Sequence, residues 1–142
     1  MEVRTRLERH VQILAGEIKE RNLWQAHALE AAAGYIERTL RELGFAVATQ
    51  EFQVQGRIAE NLEVALRGAS LPEEIVLVGG HYDSVYGSPG ANDNATGTAA
   101  VLEVARLLKE RTLPRTVRAV AFVNEEPPFF QTKDMGSRLY AR

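Results

Sequence analysis

Two short apolar runs, residues 75–78 (IVLV) and 117–123 (VRAVAFV), flank a segment of helical periodicity, and this alternation constrains the chain more than any other feature. The continuously apolar residues 75–78 read as a strand covered on both faces, and residues 117–123 as a second buried strand. Between them, residues 95–110 place Ala100, Val101, Val104, Leu107 and Leu108 inward, as an amphipathic helix does. A buried strand, a helix and a second buried strand form a βαβ unit whose strands run parallel and end on the same sheet edge. Ligands of open α/β sheets bind in the crevice outside those carboxyl ends. His81 and the run Asn124-Glu125-Glu126 follow the two strands directly, so the topology sends both to that crevice.

The rest of the chain supplies a frame for this unit. Val3, Leu7, Val11, Leu14 and Ile18 recur at three- and four-residue steps, and Leu29, Ala32, Ile36, Leu40 and Leu43 repeat the pattern, with Gly44 where a helix-ending glycine belongs. Two helices are expected to open the chain. Residues 45–54, rich in Phe, Val and Thr, and the alternating Leu62, Val64 and Leu66 predict a hairpin about Gly56. With 142 residues the chain fits one domain, and its 45% hydrophobic and 25% charged fractions are those of a globular protein.

A net charge of -2 gives no electrostatic reason to expect nucleic acid or a membrane surface as partner. The charged amino terminus lacks the apolar core of a signal peptide, and no apolar run approaches the roughly 20 residues of a membrane span, so a cytoplasmic location is expected. Cysteine is absent, which leaves His, Asp and Glu as the only strong metal ligands.

Three groups of such residues meet the crevice. At the first strand end, a neutral His81 can bind a metal through one ring nitrogen while Asp83 fixes the other, although a strand cap followed by a turn has the same sequence. In GANDNATG, residues 90–97, Asp93 offers two oxygens able to bridge cations, and Asn94 or Thr96 starts the helix; a plain N-capped helix after a glycine loop reads alike. A phosphate loop is disfavoured because no Lys followed by Ser or Thr comes after Gly97. Glu125 and Glu126 repel one another after a buried strand unless a cation or a proton settles the charge, and adjacent side chains point in different directions. One can then ligate metal while the other acts as base; solvated glutamates in a turn before Pro127-Pro128 are the alternative.

The ordered set, HYDS after a strand, GANDNATG before a helix, NEE after the next strand and then a later GS, resembles the co-catalytic zinc aminopeptidases of metallopeptidase family 28 over nearly the whole chain. The resemblance implies a three-layer α/β/α mixed sheet, here truncated to the amino-terminal half of the catalytic domain, and a cofactor of two zinc ions. By position, it implies His81 as ligand of one zinc, Glu126 as ligand of the second, Asp93 as the bridging carboxylate, Asp83 as the residue orienting His81, and Glu125 as the general base. It also implies a cis peptide bond from Asp93 to Asn94. The implied reaction is hydrolysis of an amino-terminal peptide bond, with a peptide bearing a free amino terminus as substrate.

The chain departs from that family in one respect. Family members add an aspartate ligand and a histidine ligand later in sequence, yet the only Asp after Glu126 is Asp134, in an expected short helix, and no His follows His81. Two protein ligands would remain per metal, so weak zinc binding and negligible turnover are expected of these 142 residues. In the family's sheet the strand ending at His81 is internal, so its apolar edge is expected to stand open for a homo-oligomer or a complementary fragment. Two other readings remain at this point: a non-catalytic interaction module using that edge, and a related metal-dependent hydrolase or acyl transferase acting on a non-peptide substrate. His10 and His27 are expected to be structural, Trp24 and Tyr35 to pack helices on the sheet, and Phe129 and Phe130 either to border a pocket or to anchor the core.

Overall fold

The computed structural model describes all residues, Met1–Arg142. Helix α1 (Val3–Val11) continues as a wider helical segment (Gln12–Ile18), and α2 spans Ala26–Glu42. At the end of α2, Gly44 takes a left-handed conformation (φ 86°), and Phe45 N–H donates to Leu40 O, which turns the chain toward the sheet. Strands β1 (Ala48–Val54) and β2 (Arg57–Leu66) form the expected hairpin, its turn made by Gln55 and Gly56, both at positive φ. Strand β3 (Leu71–His81), helix α3 (Thr96–Leu108) and strand β4 (Arg115–Phe122) form the βαβ unit, and α4 (Gly136–Tyr140) ends the chain.

The sheet order is β1-β2-β4-β3, antiparallel except for the β3/β4 pair, which is parallel with His81 opposite Phe122. Helices α2 and α3 cover one face, with α1 packed on α3: Leu62, Val64, Ala119, Ala121 and Val123 join Leu14, Leu29, Ile36, Leu40 and Leu102 in one core. The opposite face carries only α4, whose Tyr140 lies edge-on to Phe122 and hydrogen-bonds Glu63. The third layer of the expected α/β/α arrangement is therefore represented by one five-residue helix. No helix is long and apolar enough to cross a membrane.

Two expectations require correction. Residues 75–77 are not covered on both faces: β3 is an edge strand, and Ile75, Val76 and Leu77 are 45–49% exposed because no strand pairs with its outer side. The inward face of α3 is also turned from the expected one. Ala100 and Leu107 face outward, while Ala99, Val101, Leu102 and Ala105 are buried, because α3 packs at once against the sheet and against α1.

The α1/α3 contact contains a buried charge that periodicity did not reveal. Glu103, 3% exposed, accepts from Arg6 Nε (2.8 Å) and Arg106 Nε (2.9 Å) and lies 3.4 Å from His10 Nε2, whose Nδ1 meets Tyr35 Oη at 2.6 Å. His10 is thus structural, as expected, and His27 lies exposed at the start of α2. Burial would raise Glu103, but the hydrogen bonds and charges of Arg106 and Arg6 outweigh it and hold the carboxyl below its ordinary range. Burial lowers His10 against the pull of Glu103. Both groups bind protons more readily in the unfolded chain, so both lose their stabilisation on acidification. The His10 contribution to stability should decline as pH falls below 6.5, its ordinary value, and that of Glu103 as it protonates below 4.5, while the raised His81, Glu60, Glu125 and Glu126 act in the opposite sense. Urea midpoints measured from about pH 7.5 to about pH 4 test this, with His10→Gln expected to remove the first decline. Parallel profiles for the unmodified chain and His10→Gln across the first interval would contradict it.

Candidate metal centre

The parallel pairing of β3 with β4 brings the two strand ends together, and the loop entering α3 closes over them. Gly90 opens that loop at φ 56°, a left-handed conformation with no room for a side chain: a Cβ there would meet Asp93 O at 2.5 Å and Ser84 Cβ at 2.6 Å. Asp93 and Asn94 depart from helical geometry, their peptide bond is cis, as the resemblance implied, and Asn94 Oδ1 accepts from Gly97 N–H (3.0 Å) to start the helix. Thr98 Oγ1 donates to His81 O (2.8 Å), tying α3 to the end of β3.

His81, Asp93 and Glu126 converge, with one potential ligand atom from each lying within 4.8 Å of the others. His81 Nε2 is 3.0 Å from Asp93 Oδ1, and His81 Nδ1 faces Asp83 through its backbone oxygen (3.1 Å) and its Oδ1 (3.4 Å). Burial opposes a charge on His81, yet the hydrogen bonds and charge of Asp83, with Asp93 behind them, lift the imidazole to about 9. Asp83 is 2% exposed, and its two carboxylate oxygens accept the backbone N–H groups of Glu125 (3.3 Å) and Glu126 (3.1 Å). One side chain thus orients the imidazole of the first strand end and the backbone of the second.

Glu125 and Glu126 diverge, as their adjacency requires. Asn124, at φ 58°, turns the chain after β4. Glu125 is held by Ser137, whose backbone N–H donates to Oε1 (2.6 Å) and whose hydroxyl donates to Oε2 (2.9 Å). Burial raises the Glu125 carboxyl against the pull of Ser137. Glu126 is raised by burial and then by Asp93, and its Oε1 is buried with no hydrogen-bond partner. A buried carboxylate oxygen without a donor is costly unless a proton or cation reaches it. The histidine nitrogen and two carboxylates that meet here are donors of the kind zinc takes, so the residues present fit the metal that the resemblance implied.

A cleft of about 600 Å³ opens over this group, walled by Phe122, Pro127 and Phe130. Phe129 and Phe130 divide the two roles open to them: Phe129 is buried and stacks on Trp24, while Phe130 is 56% exposed at the cleft. Trp24 is itself 44% exposed, so it covers Phe129 rather than packing a helix on the sheet. Asp134 lies in a turn rather than a helix, outside the ligand group.

Several contributors to the site carried no sequence signal of their own. Asn61 Oδ1 accepts from Val123 N–H (3.1 Å) and its Nδ2 donates to Gly136 O (2.9 Å), while Gly136 N–H donates to Val123 O (2.9 Å). These bonds bring Ser137 to Glu125. The later Gly136-Ser137 pair marks the family's order of motifs, and the hydroxyl of Ser137 is the one sequence signal that points to a partner for Glu125. Arg21, fully buried, carries no sequence signal that sets it apart from the other charged residues around it.

Comparison with known proteins bears on the family and the fold. The chain is 34% identical to uncharacterized protein YfbL of Escherichia coli K12 across 95% of its own length and 44% of YfbL. It is 53% identical to aminopeptidase YwaD of Bacillus subtilis over 53 residues, 37% of this chain and 12% of YwaD. The structure of BSAP, a zinc aminopeptidase from Bacillus subtilis, shares the fold with a TM-score of 0.79 at 16% identity, over 88% of this chain and 62% of BSAP. The chain therefore spans less than half of YfbL and less than two thirds of BSAP. The model of Peptidase family M28 matches residues 61–142, more than half of the chain and every residue of the converging group, and the chain belongs to that family.

Proposed function

We propose that residues 1–142 form the amino-terminal half of a zinc aminopeptidase catalytic domain, which releases amino-terminal residues from peptides. The observation that carries this reading is the meeting of His81, Asp93 and Glu126, the last of which has a buried carboxylate oxygen with no hydrogen-bond partner. His81 and Glu126 would each hold one zinc ion and Asp93 would bridge the two. Zinc supplies Lewis acidity at such a site, acidifying water and polarising a carbonyl. Asp83 fixes the imidazole and holds the Glu125 and Glu126 backbone beside it. Glu125, oriented by Ser137 and opening on the cleft, takes a proton from water and returns it to the leaving amine. The family membership and the names of YwaD and BSAP support the peptide substrate and the metal.

These residues leave two protein ligands for each ion, one fewer than catalytic zinc usually has. Isothermal titration of the 142-residue chain is therefore expected to show weak zinc binding that Asp93→Ala abolishes, with negligible release of a chromogenic leucine amide. Two tightly held ions with turnover would contradict the ligand count. Absence of binding at millimolar zinc would contradict the metal reading itself.

The open edge of β3 favours a second reading, an interaction module. Ile75, Val76 and Leu77 present apolar side chains beside unpaired backbone groups, the arrangement that recruits another strand. Sedimentation velocity is expected to show concentration-dependent association of the 142-residue chain, suppressed by Val76→Lys with little change in thermal midpoint. A monomer at every concentration would rule this reading out.

A further inference from the structure

The loop from Tyr82 to Gly90 joins His81 to the turn that carries Asp93, and a tripeptide from the other end of the chain fastens it at both ends. Arg21 is 0% exposed, the largest fully buried side chain of the molecule. Its Nε donates to Tyr82 O (2.6 Å), its Nη1 to Pro89 O (2.6 Å), and its Nη2 to Gly90 O (2.9 Å). The same Nη1 reaches Leu14 O (3.1 Å) and Lys19 O (2.9 Å), where the first helical segment ends. Five carbonyls converge on one guanidinium, and no carboxylate is bonded to it. Burial lowers Arg21 to about 10, partly offset by the charge of Asp83, so the side chain remains a cation at neutral pH.

The neighbouring residues make the same connection. Arg21 N–H donates to Ser84 Oγ (3.0 Å), Ser84 N–H donates to Arg21 O (2.8 Å), and Asn22 Nδ2 donates to Ser84 O (3.2 Å). Gly87 N–H donates to Glu20 Oε1 (2.9 Å). Tyr82 lies between His81 and Asp83, and Gly90 O also receives Ala95 N–H (3.0 Å), so the guanidinium grips the turn around Asp93 directly. All three fastening residues lie outside the stretch that the family model matches.

We propose that Glu20-Arg21-Asn22 is a positioning clamp for the metal centre: by holding the Tyr82 and Gly90 carbonyls, Arg21 sets the separation of His81 from Asp93. This inference rests on the reading of those residues as metal ligands. Arginine is required because its planar fork directs five donors outward, whereas a lysine ammonium offers three from a single point. The clamp touches neither metal nor substrate. It acts through the loop, and its loss would let the two ligands drift apart without unravelling the sheet.

The test compares Arg21→Lys with Leu40→Ala, a core variant on α2 remote from the loop, in the 142-residue chain. Hydrogen exchange of the metal-free proteins and zinc affinity by competition with a chromophoric chelator are the readouts. In Arg21→Lys, exchange is expected to quicken across residues 82–95 while β1 and β2 keep their protection. Its zinc affinity should fall by about 10- to 100-fold, the usual cost of losing support behind a metal ligand. Leu40→Ala should lower the thermal midpoint yet change neither readout at the loop. If Arg21→Lys fails to fold, Glu20→Ala decides: it releases the Gly87 bond and the bond that Asn22 Nδ2 makes to the same carboxylate (3.1 Å), leaves every Arg21 bond in place, and should quicken exchange within residues 84–90. Exchange that quickens equally in all elements, or an unchanged zinc affinity in a folded Arg21→Lys, would overturn the clamp. If the unmodified chain binds no zinc, the metal reading fails, and the exchange comparison alone then decides whether Arg21 holds the loop.

Discussion

The carboxylate of Asp83 is the contact on which the rest of the site depends. It leaves the end of β3, is almost wholly buried, and accepts two consecutive backbone N–H groups at the end of β4 while facing the imidazole of His81. Parallel pairing brings two strand ends near each other, but it does not set the orientation of the chain beyond them. Asp83 does so with a charged acceptor, whose hydrogen bonds are stronger than neutral ones. Glu125 and Glu126 leave that anchored backbone in different directions, one toward Ser137 and the other toward Asp93. The placement of His81, Glu125 and Glu126 therefore depends on one side chain that need not touch a metal.

The two parts of the chain divide the work. Residues 61–142 carry the candidate ligands and the base, and the family model matches them. The preceding residues contribute the helices that cover the sheet, the β1 strand that pairs with β2, and the guanidinium that fastens the loop between His81 and Asp93. The buried Glu103 joins these parts, since its partners Arg6 and His10 come from α1 and Arg106 from α3. Buried charge needs such partners, and here they bind the first helix to the helix that begins at the site.

What could be read in the sequence was whatever local periodicity encodes. The βαβ unit, the hairpin about Gly56, the opening helices and the convergence of His81, Asp93 and Glu126 all follow from spacing and from the edge at which parallel strands end. Partners distant in sequence could not be read. Arg21 looks like an ordinary charged residue at a helix end until five carbonyls close around it, and Ser137 looks like a helix start until Glu125 reaches it. The reading of β3 failed for a related reason. Apolar residues record which side chains avoid water, whereas the neighbour that covers them is a property of the sheet, and here Ile75, Val76 and Leu77 border an open edge. The outward turn of Leu107 is a similar case, since a helix packed on two neighbours at once buries a face that a single stripe does not define.

The central claim is that the strand ends and the helix start build one metal centre from His81, Asp93 and Glu126. Anomalous diffraction at the zinc edge, from crystals of the 142-residue chain soaked in a zinc salt, tests it most directly. The account predicts anomalous density in contact with His81 Nε2 and the carboxylates of Asp93 and Glu126, beside the oxygen of Glu126 that lacks a partner. Zinc found only at the exposed His27, or no density at the strand ends at saturating metal, would contradict it.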